Sequence, residues 1–130
     1  MQAEVPESHK DLLQAPVAVL ATNGRGGQPQ VSALWFLYDD DQIKLSLNNS
    51  RQKLKNLQRD PRCTLFILDP QNPYRTLEIR ARAELTPDPD YALSAKVSQK
   101  YDNADFRKMD QPGQSRYLVT LEPLKYNTWG

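Results

Sequence analysis

VAVLATNGRGGQPQVSALWFLY, residues 17–38, decides how this chain folds. VAVLAT (17–22) reads as a buried strand, NGRGG (23–27) as a flexible hairpin connection, and 28–38 as a second strand. DDD at 39–41 turns the chain into QIKLSL (42–47), where Ile43, Leu45 and Leu47 alternate with polar residues. The expected product is a three-stranded meander.

Working outward, Pro6 to Gln14 reads as a short helix closed by Pro16. On the other side, SRQKLKNLQRDP (50–61) reads as a helix with Ser50 as N-cap, Leu54 and Leu57 as its apolar stripe and Asp60-Pro61 as its stop. CTLFILD (63–69) is apolar enough for a central strand, and PQNP (70–73) is a loop. In YRTLEIRARAEL (74–85), Leu77, Ile79, Ala81, Ala83 and Leu85 share one face, and Glu78, Arg80, Arg82 and Glu84 the other. Residues 88–101 carry loose helical spacing, 102–114 are polar, and RYLVTLEP (116–123) and LKYNTWG (124–130) close the chain as strands. Six or seven strands with one helix inserted after the third favour a small closed or half-closed antiparallel barrel over a parallel α/β sheet.

At 130 residues the chain is one domain, spanning 1–130. Lys and Arg number 17 against 16 Asp and Glu, so the net charge of +1 gives no general case for binding nucleic acid or an anionic membrane. Cys63 has no partner for an internal disulfide, and with His9 the single histidine there is no His/Cys set for a metal. The N-terminus lacks a basic start and an apolar core, and no later run approaches 18 apolar residues, which leads to the expectation of a cytoplasmic protein.

The helix at 50–61 poses the chemical question. Arg51 and Lys53 lie in its first turn, where unpaired N–H groups already carry partial positive charge, and no acid in that turn offsets them. A solvated charged face would account for the cations alone. Preceded by Asn48, Asn49 and Ser50, they better describe a phosphate site of N–H groups, a hydroxyl and two cations. Lys55 and Arg59 lie on another face and read as ordinary surface charges. In PQVSALWF, Val31, Ala33, Trp35 and Leu37 face one way, as any amphipathic strand would have it. The small Ser32 and Ala33 also leave backbone open to a flat ring, and a neighbouring anion site would put ring and phosphate in one groove.

Trp129 reads as a plug for the barrel end at least as well as a ligand contact. No nucleophile–base pair is recognisable, Asp39-Asp40-Asp41 reads as a solvated turn rather than a metal site, and GRGG lacks the Lys-Ser/Thr of a phosphate loop.

Taken together, PESHKDLL, VAVLATNGRGGQPQVSALWF and SRQKLKNLQRDPRCTLFILDPQNPYRTLEIRARAEL resemble the pyridoxamine 5′-phosphate oxidase-like family of flavin-binding split barrels, in particular its deazaflavin (F420) branch. K-x-x-N-L-x-x-D-P-R is the most specific part. The resemblance implies a mainly β (α+β) fold, a six-stranded antiparallel split β-barrel with flanking short helices. It also implies a homodimer with interface active sites, and FMN or coenzyme F420 exchanging a hydride with a small organic acceptor. By the same resemblance Ser50, Arg51 and Lys53, with Asn48 beside them, hold the cofactor phosphate. Backbone from Val31, Ser32, Ala33, Leu34 and Trp35 meets the ring, and Tyr74, Arg75 and Thr76 approach from the other subunit. Pyridoxamine phosphate oxidases proper place Arg before the helix lysine and a basic residue in the ring-binding strand; Gln52 and the uncharged VSALWF depart from this and argue against vitamin B6 oxidation. A non-catalytic flavin, F420 or haem-type carrier or sensor on the same barrel is the alternative.

Overall fold

Apolar residues at every second position give the strands one buried side each, and a single antiparallel sheet is built from them. The computed structural model describes residues 3–130. A 3-10 helix, Glu7–Gln14, leads into strands β1 (Ala18–Asn23), β2 (Pro29–Leu34), β3 (Leu37–Asp39) and β4 (Gln42–Asn48). Helix α1 (Gln52–Arg59) precedes β5 (Arg62–Asp69) and β6 (Asn72–Pro87). Two short helices, α2 (Ala95–Gln99) and α3 (Phe106–Met109), precede β7 (Arg116–Trp129). The strand order is β2-β1-β5-β6-β7-β4-β3. This is a curled sheet, a half-barrel with a few short helices, and it has seven strands rather than the six expected.

The extra strand arises where the sequence reads as continuous. Residues 28–38 split at Trp35–Phe36: β2 pairs with β1, whereas β3 pairs with β4 at the other end of the strand order. The expected meander is therefore two hairpins on opposite edges, joined by two residues, and the sheet must curl to let so short a link connect them. The Phe36 backbone has no strand partner because side chains claim it. Its N–H donates to the Tyr101 hydroxyl at 2.9 Å, and its carbonyl accepts from Lys100 Nζ at 2.8 Å. The last two expected strands are, conversely, one. Registers Arg80↔Lys125 and Ala81↔Pro123 leave Leu124 as the extra residue of a bulge, which absorbs the proline without ending β7. The helical reading of 88–101 contracts to α2, the rest being turns.

Leu20, Ile43, Leu45, Leu65, Ile67, Leu77, Ile79 and Leu121 are almost wholly buried, and Leu13, Leu54 and Leu57 seat the helices on them. Each such side chain contributes about 1.5–3 kcal/mol. The alternation of β6 is as expected, with Leu77, Ile79, Ala81 and Ala83 inward and Arg80, Arg82 and Glu84 outward. In β2 the face shared by Val31, Ala33 and Trp35 is the outward one, Val31 at 62% exposure, and Leu34 and Phe36 fill the core. Among the described residues no helix is long and apolar enough to cross a membrane.

Candidate functional site

The start of α1 is set by Asn48 at the end of β4. Its Oδ1 accepts from Ser50 N–H at 2.7 Å and its carbonyl from Arg51 N–H at 3.1 Å, so the chain turns over Asn48. Ser50 is drawn into that turn, and Arg51, not Ser50, occupies the N-cap position, with no side-chain cap on the first-turn N–H groups. Leu54 and Leu57 anchor the helix from below, and buried Asn56 donates to Thr22 Oγ1 on β1 and Gln30 Oε1 on β2 at 3.1 and 3.3 Å. α1 is thereby locked against β2. Lys53 reaches across the join, its Nζ donating to Ser32 Oγ at 2.9 Å.

Burial, and the neighbouring Arg51 cation, push the Lys53 ammonium below its usual range. Among the described residues neither cation has a carboxylate within salt-bridge distance. Lys55 is exposed as expected, while Arg59 donates to the Asn23 carbonyl at 2.5 Å. The site is thus two adjacent positive charges, one of them half-buried, at a helix end that repels them. An anion would relieve all three terms.

A cleft of about 600 Å³ opens over this turn. Of the residues expected in one site, Ala33, Leu34, Trp35, Asn48, Ser50, Arg51 and Lys53 line it. Ser32 joins through its bond to Lys53, while Val31 points to the outside. β2 is not, as expected, the sheet neighbour of β4; curl and α1 bring the two together.

Tyr74, Arg75, Thr76 and Trp129 are not among the lining residues of this cleft. Arg75 is held within its own chain by Asp11 at 2.6 and 2.9 Å and by Asp69 at 3.2 Å. Thr76 pairs with Trp129 across the β6–β7 ladder, and Tyr74 is 78% exposed. Trp129 is not the expected plug: the residue is 71% exposed, and its carbonyl is met by His9 Nε2 at 3.1 Å. With Nε2–H so occupied, His9 Nδ1 accepts from Ser8 Oγ at 2.8 Å.

The sequence pattern of the family described as pyridoxamine 5′-phosphate oxidase matches residues 5–130. The chain belongs to the pyridoxamine 5′-phosphate oxidase family. A solved structure titled F420 reductase is similar at 33% identity and a TM-score of 0.80, covering 95% of this chain and 98% of that one. A conserved hypothetical protein from Mycobacterium tuberculosis is 24% identical with a TM-score of 0.76, covering 98% and 86%. HutZ, the heme storage protein of Vibrio cholerae, is 17% identical with a TM-score of 0.75 over 98% and 96%. The last two show a shared fold.

In this family member the far wall of the cleft is a strap, residues 88–115. Trp35 stacks on Tyr101 with centroids 4.3 Å apart and planes 6° from parallel, and Phe106 lies tilted at 6.3 Å. Val97, Phe106 and Met109 face the cleft beside it. Lys100 donates to the Ala15 and Phe36 carbonyls at 2.6 and 2.8 Å, and burial pushes its ammonium down to about 8. One end of the cleft is therefore cationic and the other aromatic, which suits a planar molecule carrying a phosphate. Nothing in the sequence marked Tyr101 for this; its distance from Trp35 along the chain hides the pair.

Proposed function

We propose that the cleft binds a flavin-type cofactor, with the phosphate at Ser50, Arg51 and Lys53 and the ring along residues 31–35, and that the protein is an oxidoreductase passing a hydride to or from a small organic acceptor. The observation that carries this is the bridged pair, Lys53 Nζ to Ser32 Oγ at 2.9 Å, which joins a cation without a carboxylate to the strand expected under the ring. Similarity at 33% identity to an F420 reductase favours the deazaflavin F420 over FMN.

When bound, the cofactor supplies the redox chemistry, a hydride accepted or given by its ring. The chain's part is to bind, orient and exclude water. Arg51 and Lys53 neutralise the phosphate, and first-turn N–H groups add directed donors. Outward-facing Ala33 offers only a methyl between a ring and the β2 backbone, so N–H and C=O groups come within hydrogen-bond reach. Trp35, backed by Tyr101, closes the apolar end.

The outer face of β2 and the β6 start are surfaces for a second copy of the chain. Val31, Tyr74, Leu124 and Trp129 expose large apolar areas, and β2 is an edge strand. With Arg75 occupied by Asp11 and Asp69 and Thr76 paired on both sides in the sheet, what this stretch offers such a copy is the Tyr74 ring. The carrier reading has less support in its haem form, because both nitrogens of the single histidine are engaged.

Titration of purified protein with F420 and with FMN, followed by stopped-flow mixing of the reduced complex with quinones and other conjugated acceptors, tests the proposal. Reoxidation faster than in buffer supports an oxidoreductase. Tight binding with no acceptor-dependent rate supports a carrier, and binding of neither cofactor removes the reading.

A further inference from the structure

Asn48 belongs to the expected phosphate site, yet both of its amide donors are already engaged. Its Nδ2 protons go to Asp110 Oδ1 at 2.6 Å and Gln114 Oε1 at 2.9 Å, and its Oδ1 takes the Ser50 N–H. The Asp110 carboxylate, which only accepts, and a Gln114 oxygen that also takes the Gln111 N–H at 2.8 Å lie on one side and a backbone donor on the other, which fixes the way the amide points. At 6% exposure, and with no amide proton left for an anion, it serves the cleft wall as a joint.

Against it lies a cluster whose members Asp110, Gln114 and Arg116 also line the cleft. Asp110 and Arg116 meet through two bonds, Nη2 to Oδ1 at 2.6 Å and Nε to Oδ2 at 3.1 Å, with side chains 3% and 8% exposed. Tyr91, at a positive φ of 66° that aromatic residues rarely adopt, donates its hydroxyl to Asp110 Oδ2 at 2.7 Å. Arg116 lies over the Phe106 ring at 4.5 Å, and its Nη1 comes within 3.4 Å of Ser46 on β4. Burial pushes the Asp110 carboxyl up, but Arg116, Tyr91 and Asn48 outweigh it and hold it at about 2. The cluster ties the far end of the strap to the one residue that shapes the start of α1. A second tie runs beside it, from Asn49 N–H to the Ser115 carbonyl at 2.8 Å and from Ser115 N–H to Asn49 Oδ1 at 3.1 Å.

We propose that Asp110 and Arg116 are positioning residues: acting through Asn48, they hold the 48–51 turn so that Ser50, Arg51 and Lys53 converge on one anion. The inference rests on the phosphate reading of the cleft and adds to it that the strap governs recognition of the phosphate in particular. An ion pair removed from water on both sides fixes geometry rather than adding much stability, and here the geometry it fixes is that of the anion site.

FMN and riboflavin differ only in the phosphate, so this pair serves as probe. Dissociation constants are measured for both members on the full chain, wild type and Asp110→Asn and Arg116→Lys. The expected result is a loss of tenfold or more for the phosphorylated member, with the phosphate-free member within twofold of wild type. Equal loss for both members would make the cluster a merely structural one, and no loss in folded variants would remove it; either overturns the proposal. If Asp110→Asn does not fold, Gln114→Ala, which withdraws one Asn48 acceptor and with it the acceptor of the Gln111 N–H, is expected to weaken the phosphorylated member about threefold, and no selective change overturns the proposal. Wild type that binds both members equally would instead bring down the phosphate reading itself, and this inference with it.

Discussion

Arg75 and Lys53 are cations at the start of a strand and of a helix in the same chain, and their surroundings are opposite. Arg75 has two carboxylates within 3.2 Å, and the hydrogen bonds it donates to Asp11 hold its guanidinium above the usual value. Lys53 has a hydroxyl, an adjacent cation and a positive helix end, and burial pushes it down. A chain that answers one cation with two acids and leaves the other facing like charge treats the first as structure and the second as a place for something that arrives later. Lys100 lies between them, held by two carbonyls and the face of Phe36 at 3.9 Å.

The comparison breaks most readily at Lys53. Lys53→Ala is expected to weaken F420 or FMN binding by roughly 1.5–3 kcal/mol, the range for a hydrogen bond to a charged group, without lowering Tm. An unchanged dissociation constant would return Lys53 to the ordinary surface. Acidification probes the same contact from the ligand's side. A phosphate monoester such as that of FMN loses one of its two charges near pH 6, and one unit charge about 4 Å away is worth about 1 kcal/mol even under water-like screening. FMN affinity should therefore fall between pH 7 and 5 while riboflavin affinity stays level, which parallel fluorescence titrations would show.

At Arg75 the opposite outcome is expected. Arg75→Ala should lower Tm by loosening the 3-10 helix from the β5–β6 turn, and should leave the preference for FMN over riboflavin as in wild type. A loss of that preference would mean the two cations are not opposites. The smallest effect belongs to Lys100. Its folded value of about 8 lies below the ordinary 10.5, so between those values the unfolded chain binds more protons and stability gains from this residue as pH rises. Denaturant titrations at pH 8 and 10.5 should show that gain shrink in Lys100→Met.

Much of this was legible in the sequence for a physical reason: alternation along β4 and β6 reports burial directly, the apolar runs of β1 and β5 mark buried strands, and α1 carries its own stop at Asp60-Pro61. The break at Trp35–Phe36 was not. No glycine or proline interrupts that run, and the groups that take the Phe36 backbone out of the sheet, Lys100 and Tyr101, come from far along the chain. Ser50 has the chemistry of an N-cap but loses the position because Asn48, two residues earlier, captures its N–H. Asp110 and Arg116 sit in and just after a polar stretch that reads as solvated loop; only the fold, by pressing the strap onto β4 and β7, turns them into a buried pair. The site was half visible, in the residues that would touch an anion, and half hidden, in those that hold them still.

A structure of the protein soaked with F420 or FMN tests the central claim most directly. The account predicts the phosphorus atom over the 50–53 turn, with phosphate oxygens within hydrogen-bond distance of Lys53 Nζ and the Ser50 side chain or the first-turn N–H groups, and the ring along residues 31–35. A phosphate lodged elsewhere, with Lys53 still turned to Ser32 and nothing opposite Arg51, would contradict it.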